Sequence, residues 1–347
     1  MRYEAVFINS LGYQLAPVVI SSSEIEERLA PVYDALRLPV GHLEELTGII
    51  ERRWWGPSDT LSQGAIQAAS KALARSSLQA SDLGMLVYAG VCREQFEPAT
   101  ACRIAHGLGL SSEITLYDLS NACLGVLNGM VEVANRIALG QIRAGIVVSC
   151  ESSQHIMEEV MDDLVRDPRM DRYLASLATL TGGSGAAAVI LANEELSRGY
   201  GHRLRGGVAL AAPEHHSLCR WGMQLEADGK YRQYMATDSG GIMKHGLALG
   251  QQTWRRFLQE MEWTPTSIDR VICHQVGAPH REQVLQRLEL PLEKDFASFP
   301  YLGNMGTVSL PLTAAMAEEQ QFLQPAQRVG WLGIGSGLTC LMLGMDW

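Results

Sequence analysis

Three stretches of the first half of this chain recur in the second half at a nearly constant displacement, so the fold has to accommodate two similarly built units. LQASDLGMLVYAG (Leu78–Gly90) and WTPTSIDRVICHQV (Trp263–Val276) each run from a helix end, through a spacer and an acidic residue, into a β-type run. Met85-Leu86-Val87 then aligns with Arg270-Val271-Ile272 at a displacement of 185 residues. YDLSNACLGVLNGM, from Tyr117, parallels YLGNMGTVSLPLTAAM, from Tyr301, setting Asn121 against Asn304 at 183. RAGIVVSC from Arg143 parallels RVGWLGIG from Arg328, again at 185. A fixed displacement is the mark of a duplicated unit. The pattern breaks at EELSRGYG (Glu194–Gly201), which divides the chain into an N-terminal half, 1–195, and a C-terminal half, 196–347.

Each half alternates short apolar runs with helix-period segments. Ile146-Val147-Val148 and Ala186–Leu191 suit strands buried on both faces, whereas Ala65–Ala74 and Leu127–Leu139 suit helices. That alternation predicts an α/β fold with helices layered on a central sheet. His155–Leu180 has no counterpart in the second half; Ile156, Val160, Leu164 and Val165 recur at helical spacing, so an inserted helical cap is expected there. Composition narrows the function. A net charge of −10 without a Lys/Arg cluster disfavours nucleic-acid binding. No apolar run is long enough to span a membrane, and the N-terminus lacks the apolar block of a signal peptide. Seven cysteines without framework spacing suit a reduced, cytoplasmic protein.

Cys123 follows the strand-like Thr115–Leu119 and precedes a helical stripe through Leu124, Leu127, Met130, Val131 and Ala134. A thiol at a helix N-terminus meets unpaired N–H groups and the positive end of the dipole, which can lower its pKa. The position equally suits an inert buried thiol. His274 ends an apolar strand before a Gly-Ala-Pro break, where it can assist proton transfer, donate to an oxyanion, or simply hydrogen-bond a loop. Asn304, the repeat mate of Asn121, can donate its amide to a carbonyl oxygen or serve as a turn residue. His280, His215 and His216 are expected at the surface. Gly333–Gly337 lacks the spacing of a dinucleotide fingerprint, so no nicotinamide cofactor is expected; a turn exposing backbone N–H groups suits an oxyanion hole better. Its counterpart, Gly182–Gly185, is expected to be only a turn. No zinc-ligand spacing occurs, so no metal is expected.

With these residues in place, the chain resembles the thiolase superfamily, and within it the ketoacyl synthase III condensing enzymes. The resemblance spans TGIIERR (Thr47–Arg53), EPATACRIAHGLG (Glu97–Gly109), the Cys123 turn, HQVGAPH (His274–His280), GNMGTVSLPLTAA (Gly303–Ala315) and GIGSGL (Gly333–Leu338). It implies a five-layered αβαβα fold from duplicated halves and a homodimer. It implies Cys123 as the nucleophile acylated by acyl-CoA, and His274 and Asn304 as the groups that bind the second thioester carbonyl. It places the oxyanion hole at the backbone N–H groups of Cys123 and Ser336; Ser stands where the family often has Gly. CoA enters as a substrate thioester and no cofactor is implied.

Glu97, before Pro98, departs from the apolar residue of typical synthase III enzymes and resembles the OleA-type acyl-CoA condensing enzymes of long-chain olefin biosynthesis. There a Glu reaches the partner subunit's site as base. Malonyl thioesters make their carbanion by losing CO₂, whereas an ordinary acyl thioester has to lose a proton. The resemblance thus implies, first, a 3-oxoacyl synthase III of fatty acid biosynthesis using malonyl-acyl carrier protein. The alternative is non-decarboxylative condensation of two acyl-CoA molecules with Glu97 as base. An acyl-CoA thioesterase and a non-enzymatic supporting subunit are further readings. Arg52 and Arg53 are candidates for the CoA phosphates, or surface charges.

Overall fold

Among the described residues there are thirteen strands: β1 Val6–Leu15, β2 Val18–Ser21, β3 Glu51–Trp54, β4 Met85–Ala89, β5 Thr115–Leu119, β6 Ala144–Glu151, β7 Gly185–Asn193, β8 His202–Ala211, β9 Cys219–Leu225, β10 Tyr231–Thr237, β11 Arg270–Cys273, β12 Arg328–Gly335 and β13 Thr339–Asp346. The computed structural model describes residues 1–225 and 229–347. Nine strands hydrogen-bond in the order β11-β12-β13-β8-β1-β7-β6-β4-β5. Outward from β1 the sequence is antiparallel β7, antiparallel β6, then parallel β4. Outward from β8 it is antiparallel β13, antiparallel β12, then parallel β11. The two courses match strand for strand and meet where β1 joins β8 through Phe7–Arg203 and Ile8–His202. Past β4 lies β5; past β11 lies an isolated bridge, Val271 to Asp295.

Alternation of side chains along each strand sets the layers. Val87, Val147 and Val189 point to one face and join Ile272, Val329, Trp331, Leu341 and Leu343 around two central helices, Gly125–Ala138 and Ser309–Glu319. Their neighbours Leu86, Ile146, Val148 and Ile190 face the other way, onto helices Leu61–Arg75 and Thr100–Gly107. Val271, Leu332, Cys340 and Met342 pack against helices Ser239–Met261 and Ala278–Arg287. The result is five layers, αβαβα, in a thiolase-like α/β fold. Each fully buried large side chain, Trp331 and Phe257 among them, contributes about 1.5–3 kcal/mol. Gly12 in β1 is fixed by a backbone approach: a Cβ there would collide with Ala68 O and Ala72 N of the helix Leu61–Arg75.

The insertion folds as two helices, Gln154–Arg166 and Met170–Leu180, with the β9–β10 hairpin against both. Among the described residues no helix is long and apolar enough to cross a membrane, and no cluster of three His, Cys, Asp or Glu is set to hold a metal.

Candidate active site

The chain leaves β5, turns through Ser120-Asn121-Ala122, and enters the central helix Gly125–Ala138 immediately after Cys123. Ala122 sits in the left-handed region at φ 45°, a conformation that costs an L-residue roughly 1–2 kcal/mol. Three local bonds hold the turn: Leu124 N–H donates to Asn121 O (2.9 Å), Gly125 N–H to Ala122 O (3.3 Å), and Asn121 Nδ2 to Asn128 Oδ1 (2.7 Å). The turn projects Cys123 into a cavity of about 340 Å³, which Asn304, Ser336, Glu151, Cys219 and Trp221 also line. Ile156, Ala178 and Thr179 of the inserted helices form part of its wall.

Asn304 reaches the cavity through two backbone bonds that tie its segment to the Gly182-Gly183 stretch. Its N–H donates to Thr181 O (2.8 Å), and Gly183 N–H donates to Asn304 O (2.9 Å). The Gly182–Gly185 segment is therefore more than the expected turn: a Cβ on Gly183 would collide with Leu302 O, so glycine permits this approach. The side-chain Oδ1 of Asn304 accepts from Gly306 N–H at 3.0 Å, which leaves the Nδ2 amide as the donor. Thr307 Oγ1, three residues on, accepts from Val126 N–H at 2.7 Å and locks this turn to the start of the Cys123 helix. On the opposite side, Gly335 lies so near that a Cβ there would be 3.4 Å from Cys123 N. The β12–β13 turn thereby brings the Ser336 backbone to the cavity.

His274 follows β11, its N–H bonded to Leu332 O at 3.0 Å. Gln275 fixes the bend by donating to Cys273 O (2.8 Å) and accepting from Ser298 N–H (2.9 Å). His274 lines a second, small cavity of about 30 Å³, bordered by Leu332, Gly333 and Ile334 of β12. The structure thus brings Cys123, Asn304 and Ser336 to one cavity and places His274 in another. Two ring nitrogens, His274 Nδ1 and His280 Nδ1, are buried without a protein partner. His280 belongs to this second cavity and not to the surface, because the helix Ala278–Arg287 turns it inward beside His274. Burial holds the His274 pKa down at about 3, with His280 adding to the shift, and burial alone holds His280 at about 4. Both imidazoles are neutral at physiological pH, and a neutral imidazole donates an N–H without carrying charge. His215 is half-buried with its ring tilted against His245 at a centroid distance of 3.8 Å, while His216 is exposed.

Two further expectations need correction. Burial pushes the Cys123 thiol up to about 12, with Cys219 and Glu151 adding to the rise and the residue's own backbone N–H opposing it. Desolvation therefore outweighs the helix terminus, and the resting group is the thiol. Alkylation of Cys123 by iodoacetamide is expected to accelerate about tenfold per pH unit between roughly pH 7 and 9, tracking the thiolate fraction; quantifying the labelled peptide checks this, and a plateau below about pH 8 would contradict it. Arg52 is fully buried, donating to Ser22 Oγ (2.9 Å) and Leu180 O (3.1 Å), so it braces the insertion and cannot reach a CoA phosphate. Arg53 is partly exposed and pairs with Glu51.

Glu97 lies outside both cavities, exposed on the loop between β4 and the helix Thr100–Gly107, three residues before that helix begins and beside a Phe96 that is 98% exposed. Glu151 is the residue that sequence reasoning passed over. It ends the wholly buried strand β6, lines the Cys123 cavity, and has its pKa raised by burial against opposing bonds from Cys92 and Val91. The available signal was a lone carboxylate closing an otherwise apolar run.

Residues 258–347 match the 3-oxoacyl-[acyl-carrier-protein] synthase III C-terminal family. The acyl-CoA:acyl-CoA alkyltransferase of Shewanella oneidensis is 55% identical over the full length of both chains. A beta-ketoacyl-[acyl-carrier-protein] synthase III of a Roseiflexus species is 28% identical, covering 88% of this chain and 89% of its own. The crystal structure of a Xanthomonas campestris OleA variant, a cysteine replaced by serine, with bound lauric acid and lauroyl-CoA superposes with a TM-score of 0.93 at 33% identity, covering 99% of this chain and 100% of that one. Other solved variants of that enzyme replace a histidine or a glutamate. A thiolase-like fold of two matched strand courses, a cysteine at a strained strand-to-helix turn and a full-length likeness at this level place the chain in the OleA family of acyl-CoA condensing acyltransferases.

Proposed function

We propose that the enzyme joins two acyl-CoA molecules without decarboxylation, Cys123 carrying the first acyl group and Glu97 of a second copy deprotonating the other. This reverses the order of the two reactions expected from sequence, where malonyl-acyl carrier protein came first: alkyltransferase relatives are 55% and 32% identical over the whole chain, against 28% over 88% of it for the Roseiflexus synthase III. The observation that carries the reading is the placement of Glu97. A carboxylate exposed on a loop, outside its own chain's Cys123 cavity, is placed to serve a site completed by another copy, with Phe96 beside it 98% exposed. Homodimerisation is part of this proposal. So is the division into halves 1–195 and 196–347, the first supplying Cys123 and the second His274 and Asn304.

In the first step the Cys123 sulfur attacks the thioester carbonyl, the C–S bond to CoA breaks, and the thiol proton leaves with CoA. The Cys123 and Ser336 backbone N–H groups are suited to the oxyanion. In the second step the α-proton of another acyl-CoA passes to Glu97, while the Asn304 amide and the neutral His274 imidazole stabilise the enolate oxygen. The carbanion attacks the acyl group on Cys123, sulfur departs and regains a proton, and β-ketoacyl-CoA is released. Two easier steps replace one hard one. Lauroyl-CoA, found with the Xanthomonas enzyme, is a suitable probe.

With acyl-CoA as sole substrate, the enzyme is expected to yield a β-keto product and one free CoA thiol per product, without CO₂. A requirement for malonyl thioester with CO₂ release would overturn the proposal in favour of synthase III chemistry. Free fatty acid as the sole product would overturn it in favour of hydrolysis.

A further inference from the structure

The loop bearing Glu97 is tied down at three points, and one of them reaches into the Cys123 cavity. At its far end Asp118 of β5 accepts from Thr100 N–H and Ala101 N–H, each at 2.9 Å. In its middle Glu94 accepts from Ser62 N–H (2.7 Å) and Ser62 Oγ (2.8 Å) and pairs with Arg103 (2.9 Å). At its root Glu151 accepts from Val91 N–H through Oε1 (2.8 Å) and from Cys92 N–H through Oε2 (3.0 Å). Both oxygens of a side chain only 5% exposed thus serve the loop. The root is reinforced by Tyr88, whose single hydroxyl proton is shared between Cys92 O (2.7 Å) and Cys150 O (2.9 Å). The side of the Glu151 chain approaches Gly306, the residue that orients Asn304: a Cβ on Gly306 would lie 3.7 Å from Glu151 Cγ. Of these three carboxylates, Glu151 is the one that lines the cavity holding Cys123 and Asn304.

We infer that Glu151 is a positioning residue for the condensation step: it fixes the root of the loop that presents Glu97, and so sets where the base is delivered. The inference rests on the proposed role of Glu97. Burying a carboxylate is costly, and two backbone donors offset that cost only while both remain bonded. A glutamine at this position turns an N–H toward one of the backbone N–H groups, so one bond is lost and a repulsion replaces it. The turn that carries Cys123 is held by bonds that use none of the loop's residues, whereas condensation needs Glu97 delivered.

The test is a double-variant cycle on the full-length enzyme with acyl-CoA as substrate, reading Cys123 acylation and condensation separately. Glu151→Gln is expected to keep one acyl group per chain, to lower condensation about tenfold to a hundredfold, and to speed amide exchange at Val91 and Cys92. Combined with Glu97→Gln, it is expected to be no slower than Glu97→Gln alone, because a residue acting through another adds nothing once that other is gone. Glu151→Asp, which keeps the charge with a shorter reach, is expected to show a milder form of the same split and serves if the glutamine variant does not fold. Equal loss of acylation and condensation, or effects that multiply, would overturn the inference alone. A Glu97→Gln enzyme with undiminished condensation would overturn the base assignment, and the positioning role with it.

Discussion

Replacing Cys123 with alanine is expected to bring turnover to background, a loss on the order of 10⁴-fold or more, as removal of a covalent nucleophile does. The fold is expected to survive. Cys123 is half-buried and faces a cavity, so losing its sulfur opens no hole in a packed layer. The turn that carries it is held by backbone bonds and by Asn121 to Asn128, none of which uses the thiol. Stability should therefore change by no more than about 0.5 kcal/mol. Turnover of acyl-CoA and a thermal melt on the same preparation check both halves of the expectation. Turnover within about tenfold of wild type would mean that the carbon–carbon bond forms without an acyl-enzyme.

Glu97→Gln is expected to separate the two steps. Acylation of Cys123 should proceed as in wild type, since Glu97 is outside the cavity that holds the thiol. Condensation should fall by about 10²–10⁴-fold, the usual contribution of a general base. The amide is nearly isosteric, so shape and loop path are kept while the proton acceptor is lost. The variant's melting temperature should match wild type, because an exposed loop side chain carries little packing. Quenched-flow measurement of CoA release resolves a burst from the first step and a slow phase from the second. A full second phase in the variant would remove Glu97 from the chemistry.

Much of the frame was legible because it depends on local pattern. Thr115–Leu119 was expected as a strand before Cys123 and forms β5 with those bounds, and the stripe from Leu124 continues as the helix Gly125–Ala138. The helical insertion followed from the spacing of Ile156, Val160, Leu164 and Val165; the first three bury into one cluster, whereas Val165 is exposed. What escaped depends on contacts distant in sequence. Arg52 reads as a surface charge until Leu180, far along the chain, supplies its carbonyl. His280 reads as exposed until the helix start folds it against His274. The ionisation of Cys123 was misjudged because a helix terminus is visible in sequence, whereas the desolvation imposed by surrounding walls is not. Glu151 was missed for a related reason: its bonds to Val91 and Cys92 cross from one strand end to another.

The acyl-enzyme is the centre of this account, and the mass of the peptide containing Cys123 after brief exposure to lauroyl-CoA tests it most directly. One lauroyl mass on that peptide, present in wild type and absent from Cys123→Ala, is the predicted result. An unmodified Cys123 peptide from enzyme that is turning over acyl-CoA would contradict it.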